Sequence, residues 1–172
     1  MKTIYLVGFM GTGKTSVGKA LAAQKGLSFV DLDTRIEIRE KRPIKTIFSQ
    51  EGEAYFRAIE RAALEDVAIQ QDQVVSCGGG IVLAPENIRT MKQHGVMICL
   101  AASVDCILKR TGTSADRPLL QVAAPRAQIE KMLAQRQPLY AQADYTVDTT
   151  RLSIPAIVAQ IDAFLKTLST AS

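Results

Sequence analysis

Gly8-Phe9-Met10-Gly11-Thr12-Gly13-Lys14-Thr15 follows a short apolar, β-branched run, Thr3–Val7, and precedes a helical pattern carried by Val17 and Leu21. A strand, a glycine-rich turn of the form G-x-x-x-x-G-K-[ST] and a helix, in that order, make the context in which this motif cradles phosphates. The glycines let backbone N–H groups approach phosphate oxygens closely, the helix N-terminus adds positive potential, and Lys14 brings a point charge to the β- and γ-phosphates. Thr15 offers its hydroxyl to Mg2+. The stretch therefore predicts a P-loop nucleotide site.

Outward from this loop, short apolar runs alternate with helical patterns. Strands are predicted over Ser28–Asp31, Val74–Cys77, Val96–Leu100 and Tyr145–Asp148. Helices are predicted from the spacing of Ile59, Ala63 and Val67, of Ile129 and Leu133, and of Ile157, Ile161, Leu165 and Leu168, with Ser153 and Pro155 marking the last helix start. Such alternation is the signature of an α/β fold, a five-stranded parallel sheet between two layers of helices. The segment from Asp33 to about Ile69 is a long helical excursion between two strands, and its first part, about 33–60, reads as a substrate-side flap. Thr111 to Pro125 contains Gly112, Pro118 and Pro125 without clear period, so a mobile lid is expected at about 111–125. No repeat or linker divides the chain, and 172 residues suit a single domain, 1–172.

Composition narrows the partners. Lys plus Arg is 21 and Asp plus Glu is 17, a formal charge of +4, which suits anionic small molecules. The basic residues are scattered, Trp is absent and aromatics are 5%, so neither a basic patch nor a base-stacking platform is expected, and no nucleic-acid partner is expected. Three cysteines without a CxxC pair argue against a disulfide framework and a zinc site and fit a reducing cytoplasm. The apolar start Ile4-Tyr5-Leu6-Val7 runs into glycines where a signal cleavage site is expected, and no run approaches the roughly 18 apolar residues of a membrane span. A cytoplasmic protein without a membrane partner is expected. With no apolar heptad to advertise an interface, it is expected to be a monomer.

Candidate chemistry clusters beside the phosphate loop. Asp31-Leu32-Asp33 ends the second strand at the carboxyl edge of the sheet, where α/β folds bind ligands. Strand alternation can point both carboxylates the same way, one toward a Mg2+ water and one toward a hydroxyl about to attack phosphorus. An isolated Asp33 before Thr34-Arg35-Ile36-Glu37 also suits a helix N-cap. No Asp closes the third strand, so Asp31 takes the place of the usual Walker-B carboxylate. That strand ends instead in Ser76-Cys77-Gly78-Gly79-Gly80, which suggests backbone pressed against a ligand. Arg57, Arg110, Arg117 and Arg136 are the candidate cations for transferring phosphoryl charge or for a substrate carboxylate. Arg117 sits in the lid, where closure can deliver it to ATP. Glu60 can hold Arg57 as an i,i+3 helix pair, a pairing that is equally an ordinary surface salt bridge. His94 and Cys77 read as structural, and Phe48, Phe56 and Phe164 read as core, the first two also as candidates to line a flap pocket.

Together, Gly-Phe-Met-Gly-Thr-Gly-Lys-Thr, Asp-Leu-Asp, Phe56-Arg57, Cys-Gly-Gly-Gly, Arg117-Pro118-Leu119-Leu120, and Arg136 before Pro138-Leu139-Tyr140 closely resemble the shikimate kinase family over almost the whole chain. The resemblance implies a nucleoside-monophosphate-kinase-like P-loop fold that transfers the γ-phosphoryl of ATP to the shikimate 3-hydroxyl, in aromatic amino acid (chorismate) biosynthesis. It implies that Asp33 binds ring hydroxyls and orients or deprotonates the nucleophile, that Arg57 and Arg136 grip the carboxylate, and that Gly78, Gly79 and Gly80 meet substrate, Gly79 through its backbone. Gly11, Thr12, Gly13, Lys14, Thr15 and Ser16 would surround the nucleotide phosphates, Lys14 and Arg117 would stabilise transferring charge, and Thr15 and Asp31 would hold Mg2+ directly or through water. Arg110 and Arg151 would lie near the adenine. The chain departs from the family in a lid, Thr111-Gly112-Thr113-Ser114-Ala115-Asp116, with no basic residue before Arg117. The competing readings are a gluconate kinase, a nucleoside monophosphate kinase, and a nucleotide-binding switch. A switch lacks its N-K-x-D base-specificity motif here, and the two arginines favour a carboxylate acceptor.

Overall fold

The computed structural model describes residues 2–112 and 124–170. β1 (Thr3–Val7) is buried along its whole length, as a parallel strand covered on both faces must be. Its side chains alternate, so Ile4 and Leu6 join one apolar cluster and Tyr5 and Val7 the other. The remaining elements are α1 (Lys14–Lys25), β2 (Ser28–Asp31), α2 (Leu32–Glu40), α3 (Ile44–Ala68), β3 (Gln73–Ser76), a 3-10 turn (Ile81–Leu83), α4 (Pro85–His94), β4 (Gly95–Ala101), α5 (Val104–Thr111), α6 (Pro125–Tyr140), β5 (Tyr145–Asp148) and α7 (Ile154–Thr170).

The strands form one parallel sheet in the order β2-β3-β1-β4-β5. One face is covered by Val17 and Leu21 of α1 with Ile157, Val158 and Ile161 of α7. The other carries α2 to α6, packed on Tyr5, Val7, Val75, Met97 and Cys99. These are the three expected layers. Because β1 is central and its neighbours β3 and β4 lead away in opposite directions, the loop after it opens at the switch point where such sheets bind ligands.

The five expected strands are all present, with ends moved by about a residue: β3 stops at Ser76 and leaves Cys77 outside it, and β4 extends over Gly95–Ala101. The lid expectation falls outside the described residues except at its edges, where Thr111 closes α5 and Pro125 opens α6. Pro at a first helical turn forfeits no hydrogen bond. The excursion after β2 is two helices, and the second is broken at Gly52, whose φ of 81° and ψ of 176° are available almost only to glycine. Arg42 binds the part before the break to its own corner, donating to Glu40, Gln50 and Glu51. The part after the break carries Phe56, Arg57 and Glu60. Phe48 is not core: it is 37% exposed, with its ring 4.6 Å from that of the buried Phe56.

Candidate active site

The phosphate loop is held open by its own backbone. Gly13 caps α1 with φ 95°, in the left-handed region that glycine enters at little cost. Gly8 lies so close to the Leu100 carbonyl that a Cβ there would collide with it. Lys14 Nζ donates to the Gly8 and Phe9 carbonyls at 2.8 and 3.0 Å, so its ammonium lies across the loop. Thr12 is buried and donates its hydroxyl to the Phe9 carbonyl at 2.8 Å, while Thr15 and Ser16 open α1 toward solvent.

The two aspartates part company. Asp31 is the N-cap of α2: its Oδ1 accepts from the Thr34 N–H at 3.2 Å and its Oδ2 from the Thr15 hydroxyl at 2.9 Å. The cap role considered for Asp33 therefore belongs to Asp31. Strand alternation does not relate the two, because α2 begins at Leu32 and puts Asp33 in its first turn. Asp33 faces Gly78 instead, where an added Cβ would sit 2.8 Å from Asp33 Oδ1 and 3.0 Å from Glu60 Oε1. Burial first, then the Asp31 carboxylate, push the Asp33 carboxyl up to about 6, against the opposing pull of Lys14.

Arg57 is fixed by two carboxylates, Glu60 at 2.7 Å and Glu53 at 3.2 Å. Glu60 is 1% exposed, so this i,i+3 pair is not the surface salt bridge that the spacing equally allowed. Burial pushes Glu60 up to about 7, while Arg57 holds it down. Its Oε1 has no hydrogen-bond partner among the described residues. Arg57 lies over the Phe56 ring and so close to Gly80 that a Cβ there would overlap its guanidinium. Arg136, 9% exposed, donates to the Gly79 carbonyl at 3.1 Å and rests on the Phe9 ring at 5.5 Å. One helical turn on, the Tyr140 hydroxyl donates to the same carbonyl at 2.7 Å. Gly78, Gly79 and Gly80 are thus a bare strip against which Asp33, Glu60, Arg136, Tyr140 and Arg57 converge. Phe9 joins that strip to the phosphate loop.

Arg110, on α5, donates to the Gly11 carbonyl at 3.1 Å and to the Thr149 carbonyl at 2.9 Å, so it is anchored on the loop. Arg151 is exposed in the turn between β5 and α7. Arg117 lies outside the described residues. Burial pushes the Cys77 thiol far up, which leaves it inert as a nucleophile. Among the described residues no three His, Cys, Asp or Glu side chains gather as a metal cluster, and no helix is long and apolar enough to cross a membrane. Reading the sequence alone misses Glu53, Thr149, the Phe9 platform and the Tyr140 hydroxyl. The i,i+4 spacing of Arg136 and Tyr140 is the signal that could have paired those two.

A phosphate loop opening onto a pocket with two fixed arginines and a buried carboxyl defines a P-loop phosphotransferase for a small anionic acceptor. A family model described as shikimate kinase matches residues 10–166. The shikimate kinase of Thermodesulfovibrio yellowstonii is 44% identical over 161 residues, covering 94% of this chain and 93% of that protein. That of Thermoanaerobacter pseudethanolicus is 41% identical over 161 residues, covering 94% of each chain. The solved structure of shikimate kinase from Acinetobacter baumannii in complex with shikimate superposes with a TM-score of 0.93 at 36% identity, covering 97% of this chain and 94% of that one. The chain belongs to the shikimate kinase family.

Proposed function

We infer that the protein transfers the γ-phosphoryl group of ATP to the 3-hydroxyl of shikimate, giving shikimate 3-phosphate and ADP. The observation that carries this reading is the convergence of Asp33, Arg57 and Arg136 on Gly78–Gly80, one residue's width from the phosphate loop: a Cβ on Gly79 would lie 3.5 Å from the Met10 nitrogen and 3.7 Å from Arg136 Nη1. Arg57 and Arg136 supply the forked donors that a carboxylate takes. Asp33, when ionised, accepts the hydrogen bond of the attacking hydroxyl and orients it. In a loose phosphoryl-transfer transition state this positioning contributes more than proton removal.

Lys14 and the backbone N–H groups of Gly11, Gly13, Thr15 and Ser16 receive the phosphates, Thr12 lines the loop with its own N–H and hydroxyl turned to the Phe9 carbonyl, and Arg117 is the second cation for transferring charge. Arg110 and Arg151 belong to the base side. The Thr15 hydroxyl and the Asp31 carboxylate, 2.9 Å apart, are the kind of sparse oxygen set that suits Mg2+, which keeps waters and phosphate oxygens as its other ligands. When bound, Mg2+ neutralises charge on the β- and γ-phosphates. We place the enzyme in the cytoplasm as a monomeric single domain, with neither nucleic acid nor membrane as partner; light scattering that reports a dimer would overturn the monomer.

ADP release from Mg-ATP, followed with shikimate, gluconate or AMP as acceptor, tests the reaction. Turnover is expected with shikimate alone. Turnover with gluconate or AMP in its place would remove both arginines from their assigned role.

A further inference from the structure

Thr149, the residue after β5, is fully buried yet polar. Its hydroxyl lies 3.1 Å from the Thr12 carbonyl and 3.0 Å from the Ala101 carbonyl, sharing one proton between them. The same oxygen accepts from Arg110 Nη1 at 3.1 Å, and the Thr149 carbonyl accepts from Arg110 Nη2 at 2.9 Å. Arg110 in turn donates to the Gly11 carbonyl. The Thr149 N–H closes the group by donating to the Ala101 carbonyl at 2.8 Å. One side chain therefore ties together the phosphate loop, the end of β4 and the arginine of α5, segments far apart in sequence.

The consequence follows from the planarity of the peptide. In a trans peptide the C=O and the next N–H point in opposite directions. Holding the Thr12 carbonyl toward Thr149 aims the Gly13 N–H the other way, and the next peptide back is pinned at both ends, its Gly11 carbonyl by Arg110 and its Thr12 N–H by the Phe9 carbonyl at 3.4 Å. Two consecutive peptide planes of the phosphate loop are set from behind. We propose that Thr149 is a positioning residue for the nucleotide: through the Thr12–Gly13 peptide, which it holds directly, and the neighbouring Gly11–Thr12 peptide, which it steadies through Arg110, it presents the Gly13 N–H to the phosphates. This rests on the reading of Gly8–Thr15 as the nucleotide site. The acceptor pocket on the other side of Phe9 takes no hydrogen bond from Thr149, so the effect is confined to the nucleotide.

Calorimetric titration with Mg-ADP, and KM for ATP and for shikimate, separate this role from a merely structural one. Thr149→Val keeps the shape and removes the hydroxyl. It is expected to weaken ADP and raise KM for ATP about tenfold, the scale of one buried hydrogen bond left unmade, with KM for shikimate changed by less than about twofold. Thr149→Ser restores the hydroxyl and is expected to recover ADP affinity. Thr149→Cys puts a weaker donor in the same place and is expected to give an intermediate loss, which serves the test should Thr149→Val not fold. Wild-type ADP affinity in the Val or Cys variant, or a parallel rise in KM for both substrates that serine does not reverse, would overturn the proposal. Failure of the wild-type protein to bind ADP would remove the nucleotide reading beneath it.

Discussion

The phosphate loop draws its groups from one continuous stretch, Gly8–Thr15, and mostly from backbone, whereas the acceptor pocket beside it is assembled from α2, α3, the glycine strip and α6, and mostly from charged side chains. The loop's shape begins in local conformation, a glycine at the helix cap and a lysine folded across it, and is steadied from behind by Arg110 and Thr149. The pocket depends on tertiary packing to bring the half-buried Asp33 and Arg57 beside the buried Glu60 and Arg136. Buried carboxyls and guanidinium groups are costly unless paired, and here the carboxyls are held near 6 and 7 against that cost. The pocket is therefore where the fold gives up stability for function, and the loop is not.

Asp33→Asn should separate the two regions most sharply. With Asp33 in the proposed role of orienting the nucleophile, its loss is expected to lower kcat by about 10^2 to 10^4, with ADP affinity unchanged by calorimetry. The same variant is expected to be more stable than wild type near pH 8, by about 1–3 kcal/mol in denaturant unfolding. The sign is set by proton binding. In the unfolded chain Asp33 and Glu60 titrate near 3.8 and 4.5, and in the folded chain near 6 and 7. Between those limits the native state holds more protons, so the stability these groups contribute is present at acid pH and is lost as pH rises through 6 and 7. The difference between wild type and Asp33→Asn should vanish below about pH 4; a difference that grew toward acid would reverse the assignment. Activity is expected to run the other way: the proposed role needs Asp33 ionised, so kcat/KM should fall as pH drops below about 6.

Next in size, Arg136→Ala should cut kcat/KM for shikimate by about 10^2 to 10^3, the range for losing one side of a desolvated charge contact. Tyr140 still holds the Gly79 carbonyl in that variant, so KM for ATP should stay within about twofold if the two regions are as separate as the contacts imply. A comparable rise in both would mean that Phe9 couples them. Asp31→Asn acts on the loop side, raising the Mg2+ concentration needed for half-maximal activity about tenfold, and EDTA should abolish turnover reversibly. The smallest effect belongs to the break in α3: Gly52→Ala is expected to cost about 1–3 kcal/mol of stability although nothing lies within 4 Å of the added methyl, because the backbone there is reserved for glycine. Thermal unfolding that left its midpoint unmoved would contradict that.

Local sequence carried much of this architecture. The motif between Val7 and Thr15 placed a strand, a loop and a helix together, and each apolar run became a strand of the sheet. What remained hidden was what packing decides. The i,i+3 spacing of Arg57 and Glu60 said that they share a helix face, but not that the face is buried. Asp31-Leu32-Asp33 looked like a strand end, and only the Thr34 N–H and the Thr15 hydroxyl, both bound to Asp31, make it a cap that sends Asp33 into the pocket. The break at Gly52 lies inside an unbroken helical pattern. Thr149 meets Thr12 across almost the whole chain, a pairing with no local signal.

The proposed reading of the acceptor's carboxylate by Arg57 and Arg136, which meet the glycine strip at Gly80 and Gly79, is tested most directly by comparing shikimate with its methyl ester in wild type and in Arg136→Ala. Wild type is expected to prefer the free acid by about 10^2 in kcat/KM, and the variant to show that preference reduced about tenfold but not abolished, since Arg57 still faces the carboxylate. An Arg136→Ala enzyme that loses the same factor on the acid and the ester would contradict the claim.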